Sequence, residues 1–135
     1  MTTIETKVLE TVNKEGRVGV LATANKEGKP NLAYFGSPQL RPDGTVVMGL
    51  MANRSLANLE ENAYAAFLVV AEAPVGFQTP GWRLYLKVKE IDKSGAMLKA
   101  VREAIAAHAG EGAAKAIQAG VVFEVTGVRP LVDMG

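Results

Sequence analysis

Apolar residues along this chain change period several times, and each change marks a new element. Near the N-terminus Ile4, Val8, Leu9 and Val12 recur on one helical face, and Thr2 with Glu5 has capping-box spacing. This predicts an amphipathic helix that stops at Gly16. Residues 17–24, rich in Val and Leu, a turn at 25–28 and a return over 30–37 then read as a hairpin, closed by Pro38. A turn at Pro42, Asp43 and Gly44 leads into an apolar strand over 45–51. A short helix and a second apolar strand, 64–71, follow.

Residues 72–81 hold two prolines and two glycines, a loop long enough to serve a ligand. Over 82–92, Leu84, Leu86 and Val88 alternate with Arg83, Tyr85, Lys87 and Lys89, the period of a strand with one wet face. Ser94 is placed to cap a helix carrying Met97, Leu98, Val101 and Ile105, an alanine-rich segment extends or follows it, and residues 121–128 form the last strand. Hairpins outnumber strand–helix–strand repeats. The order therefore predicts an α+β fold, mainly β, in which an antiparallel sheet closes on itself with helices at its side.

Composition narrows the function classes. The chain has 135 residues, 48% hydrophobic and 21% charged, which fits a single domain over 1–135. Its formal net charge is +1 with both signs interspersed, so it offers no basic face for nucleic acid. It has no apolar run of membrane-spanning length, and its N-terminus is too polar for a signal peptide, which leads us to expect a cytoplasmic protein. With no cysteine, thiolate metal sites and thiol catalysis are excluded, and one histidine, His108, weakens metal and triad readings; we expect no metal.

The segment that carries chemistry is Arg54-Ser55, which lies between an apolar strand and a short helix. A cation and a hydroxyl before a helix, with free backbone N–H groups behind them, suit a phosphate or carboxylate. The bland alternative is a solvated helix cap. Gly36 and Gly49 either admit a ligand to the backbone or mark bulges that curve the sheet. Met48 and Met51 also read as core filler, and Trp82 also reads as an interface anchor. The run GLMANRS lacks the second glycine and the lysine of a P-loop, so it is not an ATPase signature.

The succession GKPNLAYFGSP followed by DGTVVMGLMANRSLANLEENAYAAFLVV resembles the FMN-binding split β-barrel family related to pyridoxamine 5′-phosphate oxidase, in particular its small stand-alone flavoproteins. Gly28, Pro30, Arg54, Ser55 and Asn58 fill the family's positions. The resemblance implies an antiparallel Greek-key split β-barrel with flanking helices. It also implies FMN as cofactor, with Arg54 and Ser55 as phosphate anchor and Asn58 beside them on the helix. Phe35, Gly36 and Ser37 would form the first flavin-facing strand, and Met48, Gly49, Leu50 and Met51 the second. In the family FMN lies at a homodimer interface, so Gln78 and Trp82 would reach the partner's flavin.

Pyridoxamine phosphate oxidases are longer and carry a C-terminal extension that grips the substrate, so oxidation of that vitamer is not expected here. What the resemblance implies is a homodimeric flavoprotein in electron or hydride transfer, as a carrier or a flavin reductase, with no catalytic side chain identified. The alternative is a binding module for FMN, a deazaflavin coenzyme or haem, the last disfavoured by the absence of Cys and the single His. A scaffold that works by dimerisation alone is a third reading.

Overall fold

Seven strands and four helices make up the fold in the computed structural model, which describes residues 4–133. In chain order they are α1 (Thr6–Val12), β1 (Val18–Ala24), β2 (Pro30–Tyr34), β3 (Gln39–Leu40), β4 (Thr45–Leu50) and α2 (Arg54–Glu61). After these come β5 (Tyr64–Val70), β6 (Gly81–Asp92), α3 (Ala96–Ala109), α4 (Glu111–Ala116) and β7 (Ala119–Pro130). Every pairing is antiparallel, in the order β2-β1-β5-β6-β7-β4-β3.

That order forces the sheet to roll. Strands β2 and β3 lie at opposite ends of the ladder, which a flat sheet would hold about 29 Å apart at six strand spacings. Yet only residues 35–38 join them, a link that reaches at most about 18 Å. The two ends must therefore approach, and because no ladder joins them the barrel is split along a seam between β2 and β3. The sheet thus curls on itself with an open seam, as a split β-barrel does.

Side chains from the inner face of the sheet, among them Leu21, Phe67, Leu84, Leu86 and Phe123, form the core. Helix α1 adds Val8 and Val12, and α2 adds Leu56 and Leu59. The period read from the sequence holds for α1, whose Val8 and Val12 are buried, with Ile4 buried just ahead of it. Its end does not: the helix stops at Val12, with Asn13 as its last cap, before Gly16 is reached. Thr2 of the expected capping box lies outside the described residues, and Glu5, at the N-cap, makes no side-chain cap bond. In the β1–β2 turn, Gly28 adopts φ +87°, a region that disfavours any residue with a Cβ, and its N–H donates to the Asn25 carbonyl.

Helix α3 begins differently from expectation. Ser94 does not cap it. Asp92 does, its carboxylate accepting from the N–H groups of Ser94, Gly95 and Leu98 at 3.1, 2.6 and 3.0 Å. These N–H bonds, that of Leu98 foremost, hold the Asp92 carboxyl below the usual carboxylate range. The helix then packs on the outer face of β4 and β7, over Gly49 and Gly120. A Cβ on Gly49 would meet Val101 Cγ1 at 2.8 Å and Ile105 Cδ1 at 2.9 Å, and one on Gly120 would meet Met97 Sδ at 2.8 Å. No helix among the described residues is long and apolar enough to cross a membrane.

Candidate functional site

Helix α2 is positioned by three polar links to the β1–β2 hairpin. Asn58 Nδ2 donates to Thr23 Oγ1 at 3.1 Å, Asn31 Nδ2 lies 3.5 Å from Ser55 Oγ, and the Lys26 N–H donates to Glu61 Oε1 at 3.2 Å. Thr23 and Asn31 are cross-strand partners, so one row of the sheet receives both Ser55 and Asn58. Apolar anchors Leu56 and Leu59 fasten the other side of the helix in the core. The N-terminus of α2 therefore opens beside the free edge of β2.

The cap falls two residues earlier than Ser55, where the sequence suggested it. Asn53 is the N-cap: its side chain accepts from the Leu56 N–H at 3.1 Å, and its carbonyl accepts from the Ala57 N–H at 3.1 Å. Ser55 is thus the second helical residue, 1% exposed, with its hydroxyl turned towards Asn31. The shift has a chemical consequence. The N–H groups of Arg54 and Ser55 keep no partner among the described residues, which is the arrangement that a helix N-terminus offers to an anion. Arg54 is exposed and makes no ion pair among the described residues. A forked cation, two orphan N–H groups and the Asn31 amide next to a hydroxyl gather hydrogen-bond donors at the start of α2. Such donors fit a phosphate.

Strand β4 contributes an edge rather than side chains. Both its faces are covered: Met48 and Leu50 point into the core, and Gly49 faces α3. On this face the bareness of Gly49 admits α3, which the sequence reading of a ligand approach or a bulge had not named. Strand β3 pairs with β4 only at Val46 and Val47, so Met48, Gly49 and Leu50 have a strand neighbour on the β7 side alone. Met51 lies beyond the strand and is 49% exposed.

Phe35, Gly36 and Ser37 lie past the end of β2, in the link to β3, rather than within a strand. The Phe35 N–H still donates to the Gly19 carbonyl at 2.9 Å, and Phe35 packs against the core. The Tyr34 hydroxyl folds back beside Gly36, where a Cβ would be 2.7 Å away. This link is pinned from below. Arg17 Nη2 donates to the Pro38 carbonyl at 2.6 Å, and the Asn13 amide exchanges two 2.8 Å bonds with the backbone of Leu40. Burial pushes the Arg17 guanidinium pKa down.

Gln78 and Trp82 are not brought to α2 of the same chain. Trp82 pairs with Val69, which pairs with Gly19, whereas the α2 contacts lie on the row of Thr23. Four residues along a strand separate these rows, ~13 Å. Trp82 is half-buried with the Lys7 ammonium 5.4 Å from its ring centre, and Gln78 is exposed. Asn31, Asn53 and Thr23 were not singled out in the sequence. Only the cap-forming chemistry of Asn53 left a signal there.

One face of the sheet is apolar and exposed. Leu32 and Tyr34 of β2, 70% and 67% exposed, lie across from Ala22 and Val20 of β1, and Val20 lies across from Leu68 of β5. Tyr64 of β5 lies on the same face, stacked under the Lys87 ammonium at 5.6 Å.

The family model described as pyridoxamine 5′-phosphate oxidase matches residues 5–129. No curated protein matches the chain. Among solved structures, an FMN-binding protein from Syntrophomonas wolfei subsp. wolfei superposes with a TM-score of 0.81 at 17% identity, over 96% of this chain and 86% of that one. HupZ from Group A Streptococcus gives 0.77 at 20%, over 98% and 99%. HutZ, the haem storage protein from Vibrio cholerae, gives 0.65 at 17%, over 96% and 95%. These likenesses concern the fold, a split barrel.

Proposed function

We propose that this chain, which belongs to the pyridoxamine 5′-phosphate oxidase family, holds FMN along its β2–β3 seam and takes part in electron or hydride transfer. The observation that carries this reading is the donor set at the start of α2. Arg54 has no counter-ion among the described residues, and the N–H groups of Arg54 and Ser55 have no acceptor. Arg54 binds the phosphate with its planar fork, the two N–H groups complete the cradle, and Ser55 with Asn31 closes it from beneath. Asn58 holds the helix to Thr23 and so orients the anchor. The link carrying Phe35, Gly36 and Ser37 and the unpaired edge of β4 at Gly49 and Leu50 flank the space for the ring. When bound, the flavin supplies the redox chemistry, and the protein is left to hold it and limit its access to water.

The second copy belongs to the same proposal. Leu32, Tyr34, Val20, Leu68 and Tyr64 share one apolar sheet face, the kind that a partner covers. A twofold pairing on this face brings the Gln78 and Trp82 end of one chain within reach of the seam of the other.

The absorption spectrum of the purified protein, before and after addition of FMN, tests the assignment together with its mass by light scattering. The reading expects a flavin spectrum on a dimer. A protein that leaves the FMN spectrum unchanged overturns it, and a Soret band in its place moves the chain to haem binding.

A further inference from the structure

Arg17 is a charged side chain that the proposed site does not use, and its placement is unusual. It directly precedes β1 yet is only 8% exposed. Its Nη1 donates to the Lys14 carbonyl at 3.1 Å and its Nη2 to the Pro38 carbonyl at 2.6 Å, while its buried Nε has no partner. It makes no ion pair among the described residues. A guanidinium stays protonated in a protein, so this is a buried and uncompensated positive charge, which is costly to keep. Two carbonyl dipoles offset part of that cost and leave the charge itself unneutralised.

Its location connects it to the flavin. Pro38 directly follows Ser37 in the link that flanks the ring, so the guanidinium lies beneath that link. The phosphate end, at Ser55 and Asn31, is about four residues away along the hairpin, because Asn31 pairs with Thr23 whereas Phe35 bonds to Gly19. Arg17 therefore acts on the ring end more than on the phosphate end. Its side chain is too deep to touch a ligand, which leaves its field as its means of action.

We propose that Arg17 is a positioning and tuning residue whose buried charge favours the reduced, negatively charged flavin over the neutral oxidised one. The inference rests on the FMN reading above. Two electrons and one proton convert the oxidised ring into an anion, a gain of one negative charge. In the test dithionite supplies the electrons and water the proton. A unit charge about 10 Å from another, at an effective dielectric near 20, shifts such an equilibrium on the order of tenfold. With that charge in place the protein binds reduced FMN more tightly than oxidised FMN, and the midpoint potential lies above that of the free cofactor.

The test measures dissociation constants for oxidised and dithionite-reduced FMN, and the midpoint potential by dye equilibration, in the wild type, Arg17→Met and Arg17→Lys. Arg17→Met is expected to lose about tenfold more affinity for reduced FMN than for oxidised FMN. Its midpoint potential should be about 30 mV lower. Arg17→Lys, which keeps the charge, should restore most of that difference, an effect that a merely structural role would not produce. Equal loss of affinity for both redox forms overturns the tuning role while leaving FMN binding intact. A wild type that binds reduced FMN more weakly than oxidised FMN overturns it even where Arg17→Met does not fold. No FMN binding by the wild type ends both readings at once.

Discussion

Gly49 and Gly120 face each other across the β4–β7 ladder, and helix α3 rests on both. A pair of residues without Cβ atoms makes a flat bed that lets Val101, Ile105 and Met97 descend onto the sheet. Gly49→Ala or Gly120→Ala should each destabilise the fold by about 1–3 kcal/mol, the usual cost of overpacking. Urea unfolding checks this, and wild-type stability in both variants would show that α3 sits more loosely than described.

Arg54 is exposed, and its removal should leave the fold alone. Arg54→Ala is expected to change stability by less than about 0.5 kcal/mol. It should weaken FMN binding by about 1.5–3 kcal/mol, the range for hydrogen bonds to charged groups. Fluorescence titration with FMN and a melting curve on the same sample separate the two effects.

Asn58 and Thr23 predict the reverse pattern. Their bond is buried and fastens α2 to β1. Asn58→Ala leaves the Thr23 hydroxyl without that partner, a loss of about 1–3 kcal/mol in stability. Its effect on FMN affinity should follow from a loosened helix, so amide exchange in α2 should rise in the protein without ligand. Unchanged exchange would contradict the fastening role.

Asp92 gives a pH dependence with a definite sign. Its carboxyl is held below the ordinary value by the N–H groups at the start of α3, chiefly that of Leu98. A depressed value in the folded state means that its contribution is fully present above the unfolded pKa, about 3.9, and is lost as pH falls through the lower folded value. Asp92→Asn should flatten that acid limb of the stability curve, and an unaltered limb would place the acid sensitivity elsewhere.

On the apolar sheet face, Leu68→Asp should shift a dimer to monomer. Leu68 is 38% exposed in the single chain, so the substitution should cost the monomer little. Light scattering reads the outcome, and a Leu68→Asp protein that stays dimeric would locate the interface elsewhere.

Strand β6 was legible because burial alternates along it, with Leu84 and Leu86 facing the core and Lys87 facing solvent, whereas β4, buried throughout, was legible from its apolar run. Strand β3 was not, since two residues carry no period. The cap of α2 was misplaced because Asn53 and Ser55 both favour that role, and only the backbone decides between them. Glycine reports that something approaches without naming it: Gly49 read as a ligand contact or a bulge, and the helix that rests on its Cα face left no local signal. Arg17 read as part of a strand, and its burial came from the chain folding Pro38 over it, a long-range event with no local signature. That Arg54 and Ser55 stand together at the start of α2 was legible because cation, hydroxyl and helix start are adjacent in the chain.

The central claim is that FMN is held by its phosphate at the start of α2, and calorimetric titration with FMN and with riboflavin tests it most directly. Riboflavin carries the same ring without the phosphate. The account predicts that FMN binds at least about tenfold more tightly in the wild type, the equivalent of 1.4 kcal/mol, and that Arg54→Ala removes most of this preference. Equal affinity for the two compounds would contradict it.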